Sequence, residues 1–87
     1  MISKKFKIID SAGLHARPAS VVVQEATKFT SDIKIIFNEK TANLKSIMSV
    51  MALVVKSNET IEIVANGTDE NEALKAIENI MISKKLI

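Results

Sequence analysis

Residues 5–9, Lys-Phe-Lys-Ile-Ile, alternate so that Phe6 and Ile8 share one side and Lys5 and Lys7 the other. That is the pattern of a strand with one wet face. Asp10-Ser11-Ala12-Gly13 breaks it as a loop. From Pro18 the period changes: Ala19, Val22, Val23 and Ala26 fall at i, i+3, i+4 and i+7, and the spacing predicts a helix ending near Lys28. Pro18 suits its first turn, where a missing N–H costs nothing. Residues 33–37 alternate again, with Ile33, Ile35 and Phe37 inward, and Asn38-Glu39-Lys40 predicts a hairpin turn into a short strand over 41–43. Residues 45–52 lack Gly and Pro, and a short helix capped by Ser46 fits them. Asn58 marks a turn, and Ile61, Ile63 and Ala65 form one side of a strand over 60–65. Asp69-Glu70-Asn71-Glu72 has capping-box spacing, and Ala73, Leu74, Ile77, Ile80 and Met81 then make the apolar stripe of a last helix. The order is β-α-β-β-α-β-α, and helices covering one face of a sheet make a two-layer α+β domain.

Composition narrows the classes. An 87-residue chain that is 47% hydrophobic and 25% charged supports one core, so residues 1–87 are expected to form one domain. The absence of cysteine excludes disulfides, thiol nucleophiles and zinc–thiolate sites, and a single histidine excludes a His-cluster metal site. No run approaches the roughly 20 apolar residues of a bilayer span, and the basic start is not followed by a long apolar stretch. A cytoplasmic protein with neither signal peptide nor membrane insertion is the expectation. The net charge of +2 suits an acidic partner but is too small for nucleic acid, and no Tyr or Trp is present to stack on bases. That counts against the rival of a different class, a small α+β RNA- or ligand-binding module.

The segment that carries chemistry is Gly13-Leu14-His15-Ala16-Arg17-Pro18-Ala19. An imidazole nitrogen is a competent nucleophile near neutral pH, and a phosphohistidine keeps a high transfer potential. The incoming group is an anion, and free N–H groups at a helix start, here at Ala16 and Arg17, favour an anion there. Arg17 adds a planar cationic fork matched to phosphate oxygens. Nucleophile, anion site and cation thus fall together, as a loose phosphoryl-transfer transition state requires. Taken alone, a single histidine is more often a surface residue without a task.

This segment resembles the active-site signature of the HPr family, the histidine-containing phosphocarriers of the phosphoenolpyruvate-dependent sugar phosphotransferase system. A second stretch, Asn43-Leu44-Lys45-Ser46-Ile47-Met48-Ser49-Val50-Met51, is similar to the regulatory region of the HPr type found in low-GC Gram-positive bacteria and their wall-less relatives. Asp69 to Leu74 is similar to the start of that family's last helix. The resemblance covers essentially the whole chain. It implies an open-faced β-sandwich, a four-stranded antiparallel sheet with three helices on one face. It implies that His15 accepts a phosphoryl group on Nδ1 from phosphorylated enzyme I, assisted by Arg17, and passes it to a IIA protein or domain of a sugar permease. The expected product is a monomeric carrier rather than an enzyme, without metal or cofactor.

Ser46 matches the serine phosphorylated by HPr kinase/phosphorylase, and structurally it is a helix N-cap. Phosphate there adds nearly two negative charges, which is expected to slow loading of His15 by enzyme I. Ile47, Met48 and Met51 are either core or, because a short helix on a sheet cannot bury every side, a partner-docking patch next to His15. Within the family, a regulator acting only through Ser46 lacks the active histidine, which is present here. The Ser46 region argues against a paralogue of a nitrogen-related phosphotransfer chain. The chain departs from the family pattern at Ala12, at Ser49, and at the glycine-free turns Asn38-Glu39-Lys40 and Ser57-Asn58-Glu59. These departures put turn geometry and regulatory affinity in question, not His15.

Overall fold

A computed structural model describes residues 1–87. The elements follow in the order β1 (Ile2–Lys7), α1 (Ala16–Ala26), β2 (Asp32–Phe37), β3 (Lys40–Asn43), α2 (Ile47–Met51), β4 (Thr60–Asn66) and α3 (Glu70–Ser83). The strands form one antiparallel sheet in the order β1-β4-β2-β3, with β1 and β3 at its edges. The three helices cover one face and the other face is open, as expected.

The alternation in the sequence decides which face is which. Ile33, Ile35 and Phe37 of β2 and Ile61, Ile63 and Ala65 of β4 point under the helices and are buried. The registers Ile35↔Ile63 and Ile33↔Ala65 align those two rows, while Lys34 and Glu62 lie on the open side. Ala19, Val22, Val23 and Ala26 of α1 and Ala73, Leu74, Ile77 and Met81 of α3 close the same core, a cluster of 23 buried residues. Ile80 is only partly buried at its margin.

Several element boundaries differ from the expectation. β1 begins at Ile2 rather than residue 5 because β4 supplies a ladder from Ala65 to Thr60 whatever the polarity of Ser3 and Lys4. Lys4 faces the helix side at this edge, where its ammonium lies 3.0 Å from a Glu78 carboxylate oxygen of α3. Helix α1 starts at Ala16, so Pro18 is its third residue, still within the first turn, where no intrahelical donor is required. It ends at Ala26, and its exit is tightened by bonds from the Lys28 and Phe29 N–H groups to the Glu25 and Ala26 carbonyls. The glycine-free hairpin closes because Asn38 (φ 50°) and Glu39 (φ 67°) both take left-handed backbone, the requirement of a two-residue turn. Asn58 (φ 70°) does the same before β4.

The capping box at Asp69 does not form. Asp69 is the N-cap residue of α3, but its carboxylate makes no cap bond to the helix. Instead, it accepts the backbone N–H of Thr30 and of Ser31, each at 2.9 Å, together with the hydroxyls of both residues. These four donors hold the carboxyl at a pKa of about 2, with the Ser31 hydroxyl the largest cause. The contact fastens the entry to β2 onto the start of α3. Gly67 permits it, since a Cβ there would lie 2.5 Å from the Ser31 Oγ.

Candidate functional site

The site is built by the loop between β1 and α1. Asp10 turns the chain: its Oδ1 accepts the Ala12 N–H at 2.9 Å and its carbonyl accepts the Gly13 N–H at 2.8 Å. Asp10 thus closes the turn, and the departure at Ala12 leaves it intact. Gly13 has φ +71°, and a Cβ there would meet the Val55 carbonyl oxygen at 2.4 Å. Only glycine allows this approach, which the Leu14 N–H then secures with a 2.9 Å bond to the same carbonyl. Leu14 is buried beside it.

His15 therefore arrives at the N-cap of α1 on a fixed backbone. Its conformation is extended (φ −85°, ψ −175°) and its ring caps nothing, so the imidazole is free for other work. Its carbonyl accepts the Ala19 N–H at 3.0 Å, the first helical bond. The N–H groups of Ala16 and Arg17 precede that bond and find no acceptor in the chain. Arg17 is exposed, and no carboxylate pairs with it.

His15 and Arg17 line one open cleft of about 290 Å³, together with Asp10, Pro18, Val21 and Lys84. The His15 side chain is 41% exposed, and its Nε2 lies 4.0 Å from Asp10 Oδ1. The structure thus brings His15, Ala16 and Arg17 together. Asp10 and Lys84 join them, and neither belongs to the Gly13 to Ala19 segment that carries the chemistry in the sequence. In the sequence Asp10 reads only as a turn residue, and Lys84 lies at the far end of the chain from His15.

Ser46 and the apolar residues after it lie outside this cleft, on α2. The Ser46 hydroxyl accepts the Ser49 N–H at 3.3 Å, confirming the N-cap. Helix α2 packs against α1 and β3. Val50 is buried, whereas Met48 is 81% exposed and Ile47 and Met51 are more than one-third exposed, so these three are not core. Exposed Val54 follows them at φ 54°.

Comparison with known proteins agrees with this geometry. A family model described as the phosphotransferase-system HPr component phosphorylation site matches residues 2–83. The phosphocarrier protein HPr of Mycoplasma capricolum subsp. capricolum is 55% identical over 80 residues, covering 92% of this chain and 90% of that protein. A Mycoplasma histidine-containing phosphocarrier structure superposes with a TM-score of 0.97 at 51% identity, covering 99% of this chain and 98% of the other. An HPr from Thermoanaerobacter tengcongensis gives 0.91 at 42% identity, over 97% and 94% of the two chains. The chain belongs to the HPr family, the phosphocarrier proteins of the phosphotransferase system.

Proposed function

We propose that this protein, acting as one domain in the cytoplasm, takes a phosphoryl group on His15 from phosphorylated enzyme I and delivers it to a IIA protein or domain of a sugar permease. The observation that carries the reading is the placement of His15, two acceptorless N–H groups and the Arg17 guanidinium around one open cleft. The Nδ1 lone pair attacks phosphorus, and the donor departs with the electron pair of the broken bond. The Ala16 and Arg17 N–H groups and the guanidinium receive the phosphoryl oxygens, where charge accumulates in the transition state. The Asp10 carboxylate lies 4.0 Å from Nε2, the ring nitrogen that does not take the phosphoryl group. Delivery reverses these steps. An exposed ring suits a carrier, because two different partners must reach it in turn.

Incubation with enzyme I and phosphoenolpyruvate, followed by intact mass measurement, tests this directly. The expected result is one acid-labile phosphoryl group, absent in His15→Ala. No gain with a cognate enzyme I overturns the reading.

A second reading concerns regulation. Ser46 caps α2 at a helix start beside the exposed Ile47, Met48 and Met51, which supports a docking surface whose charge is set by an HPr kinase/phosphorylase. Phosphate at Ser46 leaves α2 folded and weakens the approach of enzyme I.

A further inference from the structure

The cleft at His15 holds a cation that this mechanism does not use. Lys84 comes from the far end of the chain, yet it lines the same 290 Å³ space as His15 and Arg17. Its position is fixed by the way α3 ends. Lys84 is the C-cap, and Lys85 follows in left-handed backbone at φ 59°. The Lys85 N–H then bonds the Ile82 carbonyl at 3.0 Å and the Leu86 N–H bonds the Met81 carbonyl at 2.8 Å. Those two bonds are the Schellman pattern, and its usual apolar contact is present as buried Leu86 and Met81. The Leu86 carbonyl accepts the Ile9 N–H at 2.7 Å, so the end of α3 is pinned to the residue next to Asp10. Residue 84 therefore sits on backbone tied to the His15 loop. The lysines that pair with carboxylates are Lys4, Lys28 and Lys34, and Lys84 is not among them.

We propose that Lys84 is a second cation for the phosphoryl group carried by His15, its ammonium meeting a phosphoryl oxygen once the group has arrived. The inference rests on the carrier reading above. Lys84 keeps its proton throughout: the bond from phosphorus to the donor breaks, the bond to His15 Nδ1 forms, and Lys84 supplies charge alone. Asp10 opposes the incoming anion in this cleft, and Lys84 with Arg17 outweighs it. A cation that meets its anion only in the loaded carrier favours that state over the empty one. It shifts the equilibrium of loading rather than creating the nucleophile.

A lysine at a helix C-terminus also stabilises the helix through its dipole. The experiment therefore reads the partition of phosphoryl groups rather than stability alone. Purified enzyme I, a limiting amount of phosphoenolpyruvate and the full-length carrier are brought to equilibrium, and the phosphorylated fraction of each protein is measured. Lys84→Gln is expected to shift the partition toward enzyme I by about three- to fivefold and Lys84→Glu by about tenfold, while Lys84→Arg restores it. Lys75→Gln, which removes an exposed charge elsewhere on α3, is expected to leave it unchanged. Equal partition for wild type, Lys84→Gln and Lys84→Glu overturns the inference and leaves the carrier reading standing. A wild-type chain that never loads overturns both.

Discussion

Two backbone positions with left-handed φ have opposite meanings. At Gly13 the left-handed conformation and the close passage of the Val55 carbonyl, which leaves no room for a Cβ, are both needed to aim His15. Gly13→Ala is expected to cost about 3 kcal/mol in urea unfolding, since strain and steric overlap add. The same substitution should slow phosphoryl acceptance, because the loop can relieve the overlap only by moving the histidine. Val54 holds φ 54° with a β-branched side chain that is 65% exposed. Nothing packs tightly enough there to repay the strain, so Val54→Gly is expected to raise stability by about 1 kcal/mol, after the entropy glycine costs is subtracted from the strain relieved. A lower melting temperature for this variant would mean that the exposed isopropyl group contributes packing the burial does not reveal. The residues around His15 were legible in the sequence because they are contiguous: Gly13, His15, Ala16 and Arg17 lie within five positions. Lys84 was not, because the turn that ends α3 uses lysine rather than glycine at its left-handed position and gives no sequence signal.

Among the elements, α2 and α3 begin differently although both start after a residue that favours caps. Ser46 does cap α2, and Ser46→Ala is expected to cost about 1 kcal/mol. Asp69 commits its carboxylate to Thr30 and Ser31, 39 and 38 residues away, and no window on the sequence around α3 contains those partners. The same limit explains β1, whose polar first half is a strand only because β4 supplies a neighbour. The central strands β2 and β4 were legible because burial on one face imposes alternation on them. The Asp69 contact carries a pH signature. Its folded pKa, about 2, is depressed below the ordinary carboxylate value of 3.8. The stability it contributes is therefore fully present above about pH 4 and is lost as pH falls toward 2. Asp69→Asn is expected to melt at a lower temperature than wild type at pH 7, and thermal melts at descending pH should show the gap closing between pH 4 and 2. A gap that stays constant over that range would mean that the ionised carboxylate is not what holds the β2 entry to α3.

At the scale of the whole molecule, a net charge of +2 makes the carrier electrostatically easy to reset. One phosphate on Ser46 adds about −1.5 to −2 and brings the total close to zero. Because Ser46 is half-buried beside the exposed Ile47 and Met48 and is not part of the buried core, that charge is placed at the start of α2 without displacing any core residue. The fold should therefore survive, with an unchanged far-ultraviolet circular dichroism spectrum, while approach of an acidic partner slows. Repulsion between exposed charges is screened over about 10 Å at 0.1 M salt and about 3 Å at 1 M. Loading of His15 by enzyme I is accordingly expected to be slower for the Ser46-phosphorylated protein at low salt, with the difference shrinking as salt is raised. A difference that ignores salt would assign the effect to lost contacts at Ile47, Met48 and Met51 instead of to charge. Identical loading kinetics with and without phosphate on Ser46 would remove that site from control of His15 altogether.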